Sequence, residues 1–200
     1  MSQNRSSAVM QQRFEPPWAT RALFDHLCNS LWWMDVSHET VREPAANRGC
    51  MVRPLTEVFG RVEASDIHDY GAGFPVRDYL SGPVPERTDW TVTNPPFRLA
   101  EKFVARALEC SDAVAVLVRS AFLESVGRYK GLFRVHPPRI VLQFTERVVM
   151  RRARLSPNGS TATAYCWIVW VSGFRGATEL DWIPPCRKRL ERAENYEGWS

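Results

Sequence analysis

Six consecutive apolar residues, Ala113 to Val118, constrain the fold of this 200-residue chain more than any other segment. A strand with water on one face alternates polar and apolar side chains, whereas a strand buried on both faces reads as a continuous apolar run. Such a run implies a sheet covered by helices on each side. The neighbouring segments agree. Thr40–Ala45, Arg61–Ser65, a short stretch near Val76 and Asp89–Thr93 read as strands before it, and Arg139–Phe144 and Tyr165–Val171 as strands after it. Helices are predicted over Trp18–Leu27, with apolar residues at 19, 22, 23, 24 and 27, and over Cys50–Phe59, Arg98–Glu109, Ser120–Phe133 and Arg187–Asn195. This alternation predicts an α/β, doubly wound, seven-stranded sheet. No helix separates the last two strands, so they are expected to form an antiparallel hairpin at one edge.

The chain is long enough for one domain, with roughly 70% of its unfolded surface buried. We read residues 1–12 as a disordered polar segment, 13–172 as the main domain and 173–200 as a C-terminal extension. Lys and Arg outnumber Asp and Glu by 26 to 22, a mildly basic balance that permits a nucleic-acid partner without requiring one. The five cysteines are odd in number and none are spaced C-x-x-C, which argues against a disulfide framework and a zinc site. With no signal-peptide pattern and no run long enough to span a bilayer, the expected setting is cytoplasmic and reducing. Asn158-Gly159-Ser160 then reads as a turn rather than a glycosylated site.

In an open α/β sheet, ligand chemistry belongs at the carboxyl ends of the strands. Four polar stretches fall there: Glu43 to Gly49, Asp66, Asp78 and Asn94. The last opens Asn94-Pro95-Pro96-Phe97. The two prolines remove two N–H donors and fix φ twice, and Asn94 is held extended by the proline after it. The corner is stiff, presents carbonyls and an amide, and has an aromatic ring beside them. That combination suits gripping a planar amino group. Asp66 lies 17 residues beyond Gly49, near the spacing of a ribose-binding carboxylate. Each carboxylate also has a plainer reading as a cap or a loop residue.

The tetrad resembles the catalytic motif of S-adenosylmethionine-dependent amino-methyltransferases. The segments Pro16-Pro17-Trp18-Ala19-Thr20-Arg21-Ala22-Leu23, Glu43-Pro44-Ala45, Ala64-Ser65-Asp66, Asp78-Tyr79-Leu80 and Thr93–Phe97 follow the order of the gamma-type adenine-N6 DNA enzymes. Arg139–Trp170 resembles the closing hairpin of small phage and bacterial members, so the likeness runs from about residue 14 to 171. It implies a Rossmann-like fold, S-adenosylmethionine as cofactor and direct methyl transfer to adenine N6 in DNA, with no metal. Catalytic residues would be Asn94, Pro95, Pro96 and Phe97. Asn94 Oδ1 and the Pro95 carbonyl would accept the target amino hydrogens, and Phe97 would stack on a base flipped from the duplex. The cofactor would be held by Trp18, Thr20, Glu43, Pro44, Ala45, Asn47, Gly49, Asp66, Ile67, Asp78, Tyr79 and Asn94. Asn47 departs from the glycine of the family loop, but Asn tolerates a left-handed conformation best after Gly.

DNA contacts are expected from Arg119, Phe122, Arg128, Phe144, Arg147, Arg151, Arg152 and Arg154, with the arginines meeting phosphates. The Arg147–Arg154 stretch also reads as a solvated hairpin, and Phe144 as a core residue. Pro185-Cys186 lies off the catalytic strand ends and carries little weight as a nucleophile. No separate recognition domain fits into this length, so a homodimer, a partner subunit or a short recognition site would have to supply specificity. Cytosine N4, RNA and protein-glutamine methylation share the chemistry. A non-catalytic nucleic-acid-binding relative is the alternative of a different class.

Overall fold

A computed structural model of the chain describes residues 14–28, 35–150 and 162–196. Seven strands form one sheet: β1 (Thr40–Glu43), β2 (Arg61–Ala64), β3 (Thr88–Thr93), β4 (Ser111–Arg119), β5 (Ile140–Phe144), β6 (Tyr165–Val171) and β7 (Glu179–Ile183), in the spatial order β2-β1-β3-β4-β6-β5-β7. Six strands run in one direction. β6 alone is reversed, paired antiparallel with β4 on one side and β5 on the other.

The apolar run sits in β4 at the centre of the sheet and divides its side chains between two cores. Ala113, Ala115 and Leu117 face one layer with Trp90, Leu142 and Trp167, while Val114, Val116 and Val118 face the other with Val141, Ile168 and Trp170. Each fully buried large side chain contributes about 1.5–3 kcal/mol relative to exposure. Helix α1 (Pro17–His26) covers the first layer. It starts on Pro17, whose fixed φ and missing N–H suit a first helical turn. Helix α3 (Ala100–Cys110) covers the second with Ala100, Val104 and Ala107 on its buried stripe.

The α/β sheet and the antiparallel pair agree with the sequence reading, but the membership differs. The stretch near Val76 makes only an isolated parallel bridge with Asp66. Pro75 has no N–H to offer and Val76 is 59% exposed, so neither a ladder nor burial holds a strand there. The seventh strand is instead β7, parallel to β5, and it takes the edge that the sequence assigned to the hairpin. Residues beyond β7 return to α1, where Arg21 donates to the Leu190 carbonyl and to Asn195 Oδ1.

Three predicted helices are shorter or broken. Around α2 (Val52–Leu55), Pro54 removes a backbone donor. The segment 120–133 divides into a 3₁₀ turn (Ser120–Leu123), the short helix α4 (Val126–Arg128) and a π turn (Tyr129–Phe133), with Gly127 and Gly131 lowering its helical preference. The charged C-terminal helix is α5 (Arg187–Leu190), ended by extended Glu191 and followed by a 3₁₀ turn at Ala193–Tyr196.

Candidate active site

The parallel strands bring Glu43, Asn94, Arg119 and Phe144 to the same edge of the sheet, where reversed β6 contributes Tyr165. Asn94, Pro95 and Pro96 are buried and Phe97 is half-buried. The Asn94 amide is held by a residue absent from the sequence reading: its Nδ2 donates to Glu15 Oε2 at 2.8 Å. Glu15 is buried just ahead of Pro16-Pro17, and burial raises its pKa to about 7. A single acidic residue before a proline pair has no periodicity and no motif, so only its position beside a buried helix start hints at it.

Glu43 ends β1 with 1% of its surface exposed. Its Oε1 accepts from Ala45 N at 2.8 Å and from Thr93 Oγ1 at 2.7 Å, tying the loop after β1 to the end of β3. Its Oε2 is buried and has no hydrogen-bond partner among the described residues. Burial, reinforced by the Glu15 carboxylate, holds the Glu43 pKa well above the usual carboxylate range. The Thr20 Oγ1, Asn47 Oδ1 and Tyr165 hydroxyl atoms are likewise buried without a partner among the described residues.

The loop after β1 keeps its shape despite asparagine at position 47. Asn47 adopts φ 51°, the left-handed conformation that asparagine tolerates, and Gly49 adopts φ 84°. A Cβ on Gly49 would lie 3.1 Å from the Phe74 ring, so the close approach also needs glycine. Asp66 ties this loop to the end of β2: Asn47 N donates to its Oδ2 at 2.9 Å and His68 N to its Oδ1 at 3.0 Å. Burial raises the Asp66 pKa.

A narrow cleft lies between these loops. Its lining includes Pro44, Ala45, Asp66, Ile67, Asp78 and Tyr79 on one side of the chain order and Pro96, Leu99 and Phe103 on the other. Asp78 accepts from Leu80 N and Ser81 Oγ, so it caps its own turn. Tyr79 is buried, packs on Phe103 at 5.2 Å and meets Cys110 Sγ through its hydroxyl. Trp18 is fully buried and stacks edge-on against Phe144 at 5.6 Å, which puts both rings in the core.

Arg119 crosses the Phe97 ring, with Tyr165 tilted against the same phenylalanine at 6.3 Å. Arg128 covers Phe122 and donates to its carbonyl, and Arg147 donates to the Ala162 carbonyl. Arg151, Arg152 and Arg154 lie outside the described residues, as do residues 1–12 and the Asn158–Ser160 turn. Cys186 is buried, its thiol pushed up to about 12 by burial, and its backbone N–H and that of Arg187 donate to Glu146 Oε1. This is the opposite of an activated nucleophile. Among the described residues no group of three His, Cys, Asp or Glu side chains could hold a metal ion, and no helix is long and apolar enough to cross a membrane.

No protein-family model matches the sequence, and no curated protein matches it. Solved structures do match in fold. A methyltransferase subunit of a type I restriction-modification system from Streptococcus thermophilus superposes with a TM-score of 0.61 at 9% identity, over 94% of this chain and 51% of that one. A Listeria monocytogenes protein assigned as a class I S-adenosylmethionine-dependent methyltransferase gives 0.57 at 8% identity, over 82% and 63%. An assigned modification subunit of a type I restriction enzyme from Vibrio vulnificus gives 0.56 at 14%, over 85% and 47%. The chain therefore spans less than two thirds of the length of each. The chain shares with these structures a Rossmann-like α/β fold, a seven-stranded sheet with one reversed strand.

Proposed function

We propose that the chain is an S-adenosylmethionine-dependent methyltransferase acting on an exocyclic amino group, with adenine N6 in DNA as its target. The observation that carries this reading is the buried Asn94 amide at the end of β3, anchored through Nδ2 on Glu15, with Pro95-Pro96-Phe97 forming the corner after it. The restriction-modification assignments of two of the fold relatives favour DNA.

The residues present fit the cofactor. A cationic ammonium or sulfonium suits the buried Glu43 carboxylate, whose Oε2 has no partner among the described residues. The lining of the narrow cleft has the chemistry a nucleoside needs, with apolar walls from Pro44, Ala45, Leu99 and Phe103 and carboxylates at Asp66 and Asp78, and its cavity of about 20 Å³ has to widen to admit one. Asp66 keeps lone pairs beyond its bonds from Asn47 N and His68 N. Bound S-adenosylmethionine supplies an electrophilic methyl group.

The chain's own residues then do the positioning. With Nδ2 held by Glu15, Asn94 is left to accept with Oδ1, and the Pro95 carbonyl is the second acceptor for a target amino group. Two fixed acceptors favour a pyramidal nitrogen and stabilise the positive charge that grows on it, an effect strongest in a buried site. Phe97 offers a face for a flipped base, where stacking contributes about 1–3 kcal/mol. Arg119, exposed beside that ring, is positioned for a neighbouring phosphate. The test is incubation with methyl-labelled cofactor and separate DNA, RNA and protein pools. Label in DNA supports the reading; label confined to RNA or protein reassigns the substrate.

A further inference from the structure

Glu15 belongs to none of the sequence motifs, yet its carboxylate is bonded to the first residue of the tetrad. It is buried, and among the described residues its carboxylate accepts from the Asn94 side chain. The titratable groups that feel it are Glu43 at the end of β1 and Cys50 beyond the following loop, both pushed upward by its charge as well as by their own burial. Arg48 packs over the adjacent Phe14 ring at 6.0 Å.

The bond has a direction with chemical consequences. An ionised carboxylate only accepts, so it can hold only the NH₂ end of an asparagine. Asn94 Oδ1 is then turned from Glu15 and is free of competition from it. A protonated carboxyl can donate, and so can hold the Oδ1 end instead. The amide would then rotate by half a turn and present Nδ2, which cannot accept an amino hydrogen.

We propose that the ionisation of Glu15 selects which end of the Asn94 amide faces the target amino group. Glu15 is thus a positioning residue that gates methyl transfer. The inference rests on the methyltransferase reading above, and it adds a proton switch to that site. Burial sets the switch within the physiological range, because it lifts Glu15 from the ordinary carboxylate value to about 7.

The decisive comparison is between the wild-type chain and Glu15→Gln. Glutamine carries both a donor and an acceptor at every pH, so it holds no single amide orientation. Single-turnover methylation by the wild type is expected to rise through a midpoint near pH 7. Glu15→Gln is expected to be on the order of tenfold slower above that midpoint and flat with pH. Its cofactor dissociation constant, measured by calorimetry at pH 8, is expected to stay within a few-fold of wild type. A readout independent of activity is the Asn94 side-chain amide in protein labelled with ¹⁵N-asparagine, assigned by its loss in Asn94→Ala. That resonance should titrate near pH 7 in the wild type and not in Glu15→Gln. An Asn94 amide that does not titrate in the wild type overturns the proposal, as does an acid limb that persists in Glu15→Gln. Should the wild type methylate no substrate, the functional reading fails and the amide titration alone decides the role of Glu15.

Discussion

The guanidinium carbon of Arg119 lies 4.5 Å from the centroid of the Phe97 ring. One residue ends β4 and the other closes the Asn94 corner after β3, so adjacent parallel strands bring them together. An exposed cation over an aromatic face contributes about 0.5–1 kcal/mol, less than a stacked base would. A flipped base can therefore displace the guanidinium or share the ring with it. Phe97→Ala should lower kcat/KM for DNA by about 10- to 100-fold. Arg119→Ala should raise KM for DNA several-fold and reduce the salt dependence of binding, with kcat little changed. Steady-state kinetics at two salt concentrations checks both.

Asp66 holds the backbone N–H groups of Asn47 and His68 on its two oxygens. In Asp66→Asn one of the two donors faces an NH₂ group instead of an acceptor. Leaving a buried donor unsatisfied costs about 1–3 kcal/mol, so the variant should melt several degrees lower even without ligand. Cofactor affinity should fall as well, since the loop loses its anchor. Thermal melts with and without S-adenosylmethionine separate the two effects.

Asn47, at φ 51°, carries strain that glycine would not. Asn47→Gly should leave stability within about 1 kcal/mol of wild type, the relief of strain offsetting the extra freedom of the unfolded chain. Asn47→Ala should destabilise by about 1–2 kcal/mol, because alanine has neither glycine's freedom nor asparagine's polar side chain. Denaturant titration of the three proteins gives the ranking.

Glu15 makes stability fall with rising pH. Its folded pKa, raised to about 7, lies above the ordinary carboxylate value. Between those values the folded state binds the proton that the unfolded state has released, so the folded state loses ground as pH rises through the window. Glu43 is shifted in the same direction. Glu15→Gln, which cannot ionise, should therefore melt several degrees above wild type at pH 8 and close to it at pH 4.5. Calorimetric melts at the two values check the sign.

Much of this site was legible in the sequence because its chemistry is local. Asn94-Pro95-Pro96-Phe97 encodes a corner through four adjacent residues, and the apolar run encodes the buried centre of the sheet. The left-handed backbone at Asn47 follows from residue type alone. What was hidden depends on distance. β7 exposes its apolar pair, Leu180 and Trp182, on the edge and buries only Ile183 from its other face, so its apolar pattern does not mark the face that packs on the core. Val76 looks like a strand residue but lacks a partner ladder beyond one bridge. The Glu15–Asn94 bond joins positions 79 residues apart, and nothing near Glu15 announces it. Phe144 fits a stacking or a core role equally by sequence, and only its edge-on contact with Trp18 puts it in the core.

The central claim is that the Asn94 corner delivers a methyl group to adenine N6 in DNA. The most direct measurement is to incubate the wild type and Asn94→Ala with methyl-labelled S-adenosylmethionine and unmodified DNA, digest the DNA to nucleosides, and identify the labelled base by mass spectrometry. The account predicts labelled N6-methyladenine from the wild type and none above background from Asn94→Ala, with cofactor binding retained in both. Label on a cytosine carbon, or undiminished adenine methylation by Asn94→Ala, would contradict it.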